Sequence, residues 1–130
     1  MQNNTRAARN IGEATLDRYL SAILALSAQL PIVRSVDVAR RLDCSKACVS
    51  MALKQMQVQA LVRVEAHGAL VLSKEGLRRA ERWQRRCDFF EGLLRRCGVC
   101  DDTAVQEAQA VARALSAETG DAVMTYLKGI

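Results

Sequence analysis

Apolar positions along the chain fall into short helical registers separated by polar breaks. Leu16, Tyr19, Leu20, Ile23, Leu24 and Leu26 recur at helical spacing, which predicts an amphipathic helix from Glu13 to about Ala28, stopped by Pro31. Val36, Val38, Ala39 and Leu42 mark a second, short helix, and Ser45 stands where an N-cap would open a third, from Lys46 to about Gln57. The hinge between them is tight, Asp43 to Ser45. Asp43 tolerates the left-handed conformation better than most non-glycine residues, and Ala39 is small where the two helices would cross.

Beyond these helices the period changes. "LVRV" and "ALVL" flank "EAHG", two short strands joined by a turn containing Gly68, so helix, helix, helix and hairpin form a winged helix-turn-helix. Ser73 can cap a long helix that ends near Cys97 with Gly98 as its stop, and Leu77, Ala80, Trp83, Cys87, Phe90 and Leu94 form its apolar stripe. Arg78, Arg79, Arg82, Arg85 and Arg86 are assigned to its outer face, solvated or touching phosphate beside the wing. A further helix starts in "DDTAVQEA", where Thr103 and Gln106 fit a capping box, and another follows Ser116 with Val123, Met124 and Leu127 facing inward. The expected fold is mostly α: a winged helix-turn-helix domain over residues 1–73, then a long linking helix and a small helical dimerisation domain over 74–130.

Composition agrees with a helical globular chain: of 130 residues half are apolar, 4% are aromatic and one is proline. No apolar run approaches the roughly 20 residues that span a bilayer, and the leader Gln2 to Arg9 is polar, which predicts a cytoplasmic protein with no membrane partner. Five cysteines, at 44, 48, 87, 97 and 100, do not have the spacing of a secreted disulfide scaffold.

Charge changes the picture more. Residues 32–64 carry six Lys/Arg against two Asp, residues 72–97 eight against four acids, and residues 98–130 two against five. A basic body with an acidic end points to a polyanion partner for the first part of the chain. A helix fits the DNA major groove and presents its N-terminal side chains to base edges. Here those are Ser45, Lys46, Ala47, Ser50, Met51 and Lys54, with Arg34, Arg40, Arg41, Arg63 and the wing residue His67 as flanking contacts. Ser50 can bond bases or phosphate, the lysines phosphate or guanine, and Ala47 a thymine methyl. The plainer alternative is a three-helix subdomain with a solvated basic face.

The cysteines offer separate chemistry. Cys97 and Cys100 form a CxxC beside Arg95 and Arg96, a possible redox pair, against which stands a simple helix end. Cys87 on the apolar stripe reads as a buried thiol, while Cys44 and Cys48 flank the start of the recognition helix, where oxidation would add bulk. A thiol-disulfide enzyme is the remote rival, since no thioredoxin-like β-α-β pattern surrounds the pair.

"YLSAILALS", "SVDVARRLDCSKACVSMALKQM", "LVRVEAHGALVLSKEG" and "EGLLRRCGV" follow one another in an order that resembles the DtxR/MntR family of metal-dependent repressors, from Thr15 to Leu127. The resemblance implies a homodimer on a palindromic double-stranded operator, paired through the later helices, with Mn²⁺ or Fe²⁺ between the two parts. Without the C-terminal barrel of the longer members, the chain resembles the shorter manganese branch. The family's ligand positions fall on Arg18, Ser21, Cys87, Gln109, Ala112 and Arg113. Hard divalent ions need carboxylate oxygens and imidazole, so only Cys87 could ligate strongly, and no metal cofactor is expected. A rearranged site from Glu13, Asp17, Asp88 and Glu107 is the alternative, although a shift of one residue turns a helical side chain by about 100°. The expectation is a repressor-like DNA-binding regulator without the family's metal switch; a thiol-responsive regulator or a dimerisation partner unable to bind DNA alone are the other readings.

Overall fold

The first amphipathic register forms α1 (Glu13–Ser27), with Leu16, Tyr19, Leu20, Ile23 and Leu26 buried. The structure, a computed structural model, describes residues 11–129; the polar leader Gln2 to Arg9 lies outside the described residues. α2 (Ser35–Leu42) opens where the Arg34 backbone N–H donates to the Asp37 carboxylate at 2.9 Å. It closes on Asp43 in the left-handed conformation (φ 51, ψ 52), which turns the chain into the next helix. Ser45 then caps α3 (Lys46–Val58), its hydroxyl oxygen accepting the Cys48 N–H at 3.1 Å.

The wing is an antiparallel pair, β1 (Val62–Val64) and β2 (Leu70–Leu72), with Val62 opposite Leu72 and Val64 opposite Leu70. A 3-10 turn over Ala66–Gly68 joins them, with His67 (φ 61) and Gly68 (φ 76) both left-handed. Ser73 opens α4 (Lys74–Arg96): its Oγ accepts the Gly76 N–H at 3.0 Å and donates to the Ala60 carbonyl at 2.7 Å. Gly76 lies against the Leu61 backbone, where a Cβ would strike the carbonyl oxygen. Leu16, Leu20, Ile23, Val38, Val49, Met56 and Leu61 are the fully buried centre of this part of the molecule.

The chain divides into two compact units, one ending at Glu81 and the other beginning at Arg82, within α4. In the second unit Gly98 (φ 90) ends α4, followed by α5 (Asp101–Ala114) and α6 (Ala117–Lys128). Ser116 caps α6, accepting the Thr119 N–H at 3.1 Å. On α5, Ala104, Ala108 and Ala112 are buried, while Val123, Met124 and Leu127 of α6 are half-buried.

Three sequence expectations need correction. Thr103 does not cap α5: the helix starts at Asp101 with Cys100 at the N-cap, since Asp101 and Asp102 suit a helix's positive end. Leu77 is 39% exposed, because the inward side of the first turns of α4 runs through Gly76 and Ala80. Arg79 and Arg86 do not cover an outer face; they are 8% and 5% exposed and internally paired. Among the described residues no helix is long and apolar enough to cross a membrane.

Candidate nucleic-acid interface

α3 is split between two environments. Val49, Ala52 and Met56 bury one face, while Lys46, Ala47, Ser50, Met51 and Lys54 are exposed on the other. Capping leaves the Ser45 hydroxyl hydrogen free to donate outward, because only its oxygen is engaged by Cys48. Arg40 and Arg41 are exposed in the last turn of α2, where the helix dipole favours cations. Lys46, Lys54, Arg40 and Arg41 make no ion pair with other described residues.

The flanking candidates behave differently. Arg34 Nε donates to the His67 carbonyl at 2.8 Å, tying the start of α2 to the wing turn. Arg63 on β1 places Nε and Nη2 on Glu65 Oε2, at 2.9 and 2.7 Å, in an exposed pair that cancels its charge locally. His67 is exposed at the tip. The eleven sequence candidates thus share the first unit, with Arg34 and Arg63 already holding protein acceptors.

Cys44 is half-buried, 3.8 Å from the Tyr19 hydroxyl, and Cys48 is exposed. Burial, with help from Cys44, pushes the Tyr19 hydroxyl up to about 12. Cys97 and Cys100 are both exposed, and Cys100 Sγ lies 3.2 Å from Thr103 Oγ1; the Thr103 hydroxyl and backbone N–H, donating to the thiolate, hold it below the ordinary thiol value.

The six positions at which the family resemblance would put metal ligands carry few of the donors a hard divalent ion takes. On α1, Arg18 is half-buried and cationic, and Ser21 is buried. Burial pushes Cys87 up to about 12, with Glu91 and Asp88 adding to the shift, so it stays a protonated thiol. Ala112 is buried without a donor, Gln109 half-buried and Arg113 exposed. Of the neighbouring carboxylates, Asp17 is held by Arg79 at 2.6 Å and Asp88 accepts the Gln84 amide at 2.9 Å. Among the described residues no group of three or more His, Cys, Asp or Glu could hold a metal ion.

Sequence reasoning missed the internal arginines. Their signal was present: Arg79, Trp83, Arg86 and Phe90 follow one another at spacings of four, three and four, which is a single helix face. Arg86 Nη2 donates to the Ala117 carbonyl at 3.0 Å and to Asp121 Oδ1 at 3.1 Å, its guanidinium lying against Gly120, where a Cβ would meet it at 2.6 Å.

No family model matches the chain. The transcriptional regulator MntR of Escherichia coli O6:H1 is 28% identical over 111 residues, covering 85% of this chain and 72% of that protein. Two solved structures share the fold. A manganese-dependent transcriptional repressor in complex with manganese aligns with a TM-score of 0.70 and 26% identity over 85% of this chain. The manganese regulator SloR aligns with a TM-score of 0.73 and 21% identity over 87%. The chain spans 53% of the length of each of these two structures. The wing and the exposed face of α3 define a protein of the winged helix-turn-helix regulator class. Within that class the chain is similar to the MntR regulators and the manganese-dependent repressor just described.

Proposed function

We propose that the chain is a repressor-like transcriptional regulator that binds a double-stranded operator as a homodimer and does so without a divalent metal. The observation that carries DNA binding is the exposed side of α3, from Lys46 to Lys54, which holds Ser50, no acid and two lysines without an ion pair among the described residues. The names of its relatives, a transcriptional regulator and a manganese-dependent repressor, support the same role. Metal independence is supported by the donor set: two arginines, an alanine, a serine, a glutamine and a protonated thiol offset little of an ion's dehydration. In the second unit, Tyr126 is 73% exposed and Val123, Met124 and Leu127 are half-buried, which supports that unit as the dimerisation domain. The proposal is of a regulator, not an enzyme.

The test is fluorescence anisotropy of the reduced protein with duplex DNA from upstream of its own gene, in chelator and then with Mn²⁺. Tight, sequence-specific binding in chelator is the expected result. Binding that appears only with Mn²⁺ refutes metal independence. A thiol-responsive variant of this reading is favoured by the Cys100–Thr103 bond beside exposed Cys97. Release of DNA on mild oxidation, reversed by reductant and absent in Cys100→Ser, would support it.

A further inference from the structure

Arg79 joins the elements that carry the DNA face. Its Nε donates to Asp17 Oδ1 on α1 at 2.6 Å, Nη1 to Gln59 Oε1 at 3.3 Å, and Nη2 to the Glu13 backbone carbonyl at 3.2 Å. Gln59 is the residue on which α3 ends. One planar fork on α4 therefore reaches the first helix and the far end of the recognition helix together. The side chains of Arg79 and Asp17 are 9% and 11% exposed.

We propose that Arg79 is a positioning residue, a built-in cation that fixes α3 against α1 and α4 and does internally what a bound divalent ion would otherwise have to do. The inference rests on the metal-independent reading above. A carboxylate buried as deeply as Asp17 must either take up a proton or find a cation. A bound metal supplies that charge only above its dissociation constant, whereas a guanidinium on the same chain is always present and does not lose its proton at any physiological pH.

Positioning, rather than bulk stability, is what such a pair contributes. Desolvating both charges offsets much of their attraction, and apolar pairs of similar volume often hold a fold equally well. An apolar pair has no directed contact to the Gln59 amide or the Glu13 carbonyl, so the orientation of α3 is what it would lose. The arrangement is confined to the first unit, whose other core contacts, among them Leu16, Val49 and Met56, remain to keep the fold.

The test uses the full chain and a random duplex library, from which the wild type selects its preferred site separately in EDTA and in Mn²⁺. Binding to the selected duplex and thermal unfolding are then measured for wild type, D17L/R79L and R79K under both conditions. The wild type is expected to select and bind a site in EDTA. D17L/R79L is expected to unfold cooperatively near the wild-type temperature yet bind at least about tenfold more weakly, the order lost with one charge-assisted hydrogen bond. R79K keeps the charge but not the fork, and a severalfold loss at an unchanged unfolding temperature is expected; it decides the matter if D17L/R79L does not fold. A folded D17L/R79L, or in its place R79K, that binds like wild type overturns the clamp and leaves metal independence standing. A wild type that selects a site only in Mn²⁺ overturns both.

Discussion

Salt dependence of DNA binding follows from which cations the fold leaves free. Six Lys/Arg lie in the winged part from Arg34 to Arg63. Arg63 is compensated by Glu65 and Arg34 is tied through Nε to the His67 carbonyl, so Arg40, Arg41, Lys46 and Lys54 are counted as the cations for phosphate. Four neutralised phosphates give a slope of log K against log salt of about −3.6 for each winged unit on DNA, so raising salt fourfold should weaken binding by about 150-fold. Lys54→Gln should reduce the slope by about 0.9, while Arg63→Gln, which removes an already compensated charge, should change it little. Glu65→Gln should do the reverse, releasing Arg63 and steepening the slope by about 0.9. Anisotropy titrations from low to moderate salt measure all three. The reasoning is refuted if Arg63→Gln and Lys54→Gln reduce the slope equally, since the wing pair would then open on DNA at no cost.

Further consequences are open to simple assays. At pH 9 Cys87, pushed up to about 12, is about 0.1% thiolate, whereas exposed Cys100 is held below the ordinary thiol value by Thr103. Alkylation followed by mass spectrometry should therefore label Cys100 well before Cys87 in the folded protein, with the contrast collapsing in urea. The same shift means that unfolding releases a proton from Cys87 as pH rises from 9.0 to about 12, so stability falls across that window and is unaffected below it. Two glycines of α4 should respond oppositely to alanine. Gly76→Ala drives a Cβ into the Leu61 carbonyl and should cost about 1–3 kcal/mol, whereas Gly92→Ala, with open space around the new atom, should gain up to about 1 kcal/mol. Equal shifts in thermal midpoint would contradict the packing described. Mn²⁺ should leave that midpoint where EDTA leaves it; occupancy at a hundredfold excess over Kd would add about 2.7 kcal/mol, a shift of several degrees.

Local rules carried most of the fold into the sequence. The period of α1, the Ser45, Ser73 and Ser116 caps, the left-handed Asp43 and the Gly98 stop each depend on a few neighbouring residues, and each appears in the structure. The exposed face of α3 was legible for the same reason, since its partner face, Val49, Ala52 and Met56, is apolar at helical spacing. What was not legible depends on contacts distant in sequence. The Arg79 partner is 62 residues away and the Arg86 partner 35 residues away, so a charge run judged along one helix was given to solvent. Arg34 spends its guanidinium on a backbone carbonyl 33 residues on, for which no side-chain pattern exists. Thr103 misled because its capping-box spacing is satisfied one turn inside a helix already opened by two aspartates.

The internal arginines also change where the protein's positive charge can act. By count, residues 72–97 are as basic as the winged part, eight cations against four acids. Of those eight, Arg79 and Arg86 are held inside by Asp17 and Asp121, Arg78 pairs with Glu75, and Arg95 pairs with Glu91 and Asp101. Lys74, Arg82, Arg85 and Arg96 remain, but Lys74 adjoins Glu75, and Glu81 lies four residues before Arg85 and Asp88 three after it, the spacings at which a helix brings opposite charges together. The exposed side of α3 from Lys46 to Lys54 contains no acid to cancel its lysines. Phosphate should therefore see α2 and α3 rather than the long helix. The double variant R82Q/R85Q removes as many charges as K46Q/K54Q, so net charge alone predicts the same effect. The structure predicts that R82Q/R85Q leaves the salt slope nearly unchanged while K46Q/K54Q lowers it by about 1.8. Equal slopes for the two would show that the long helix lies on the phosphate backbone after all.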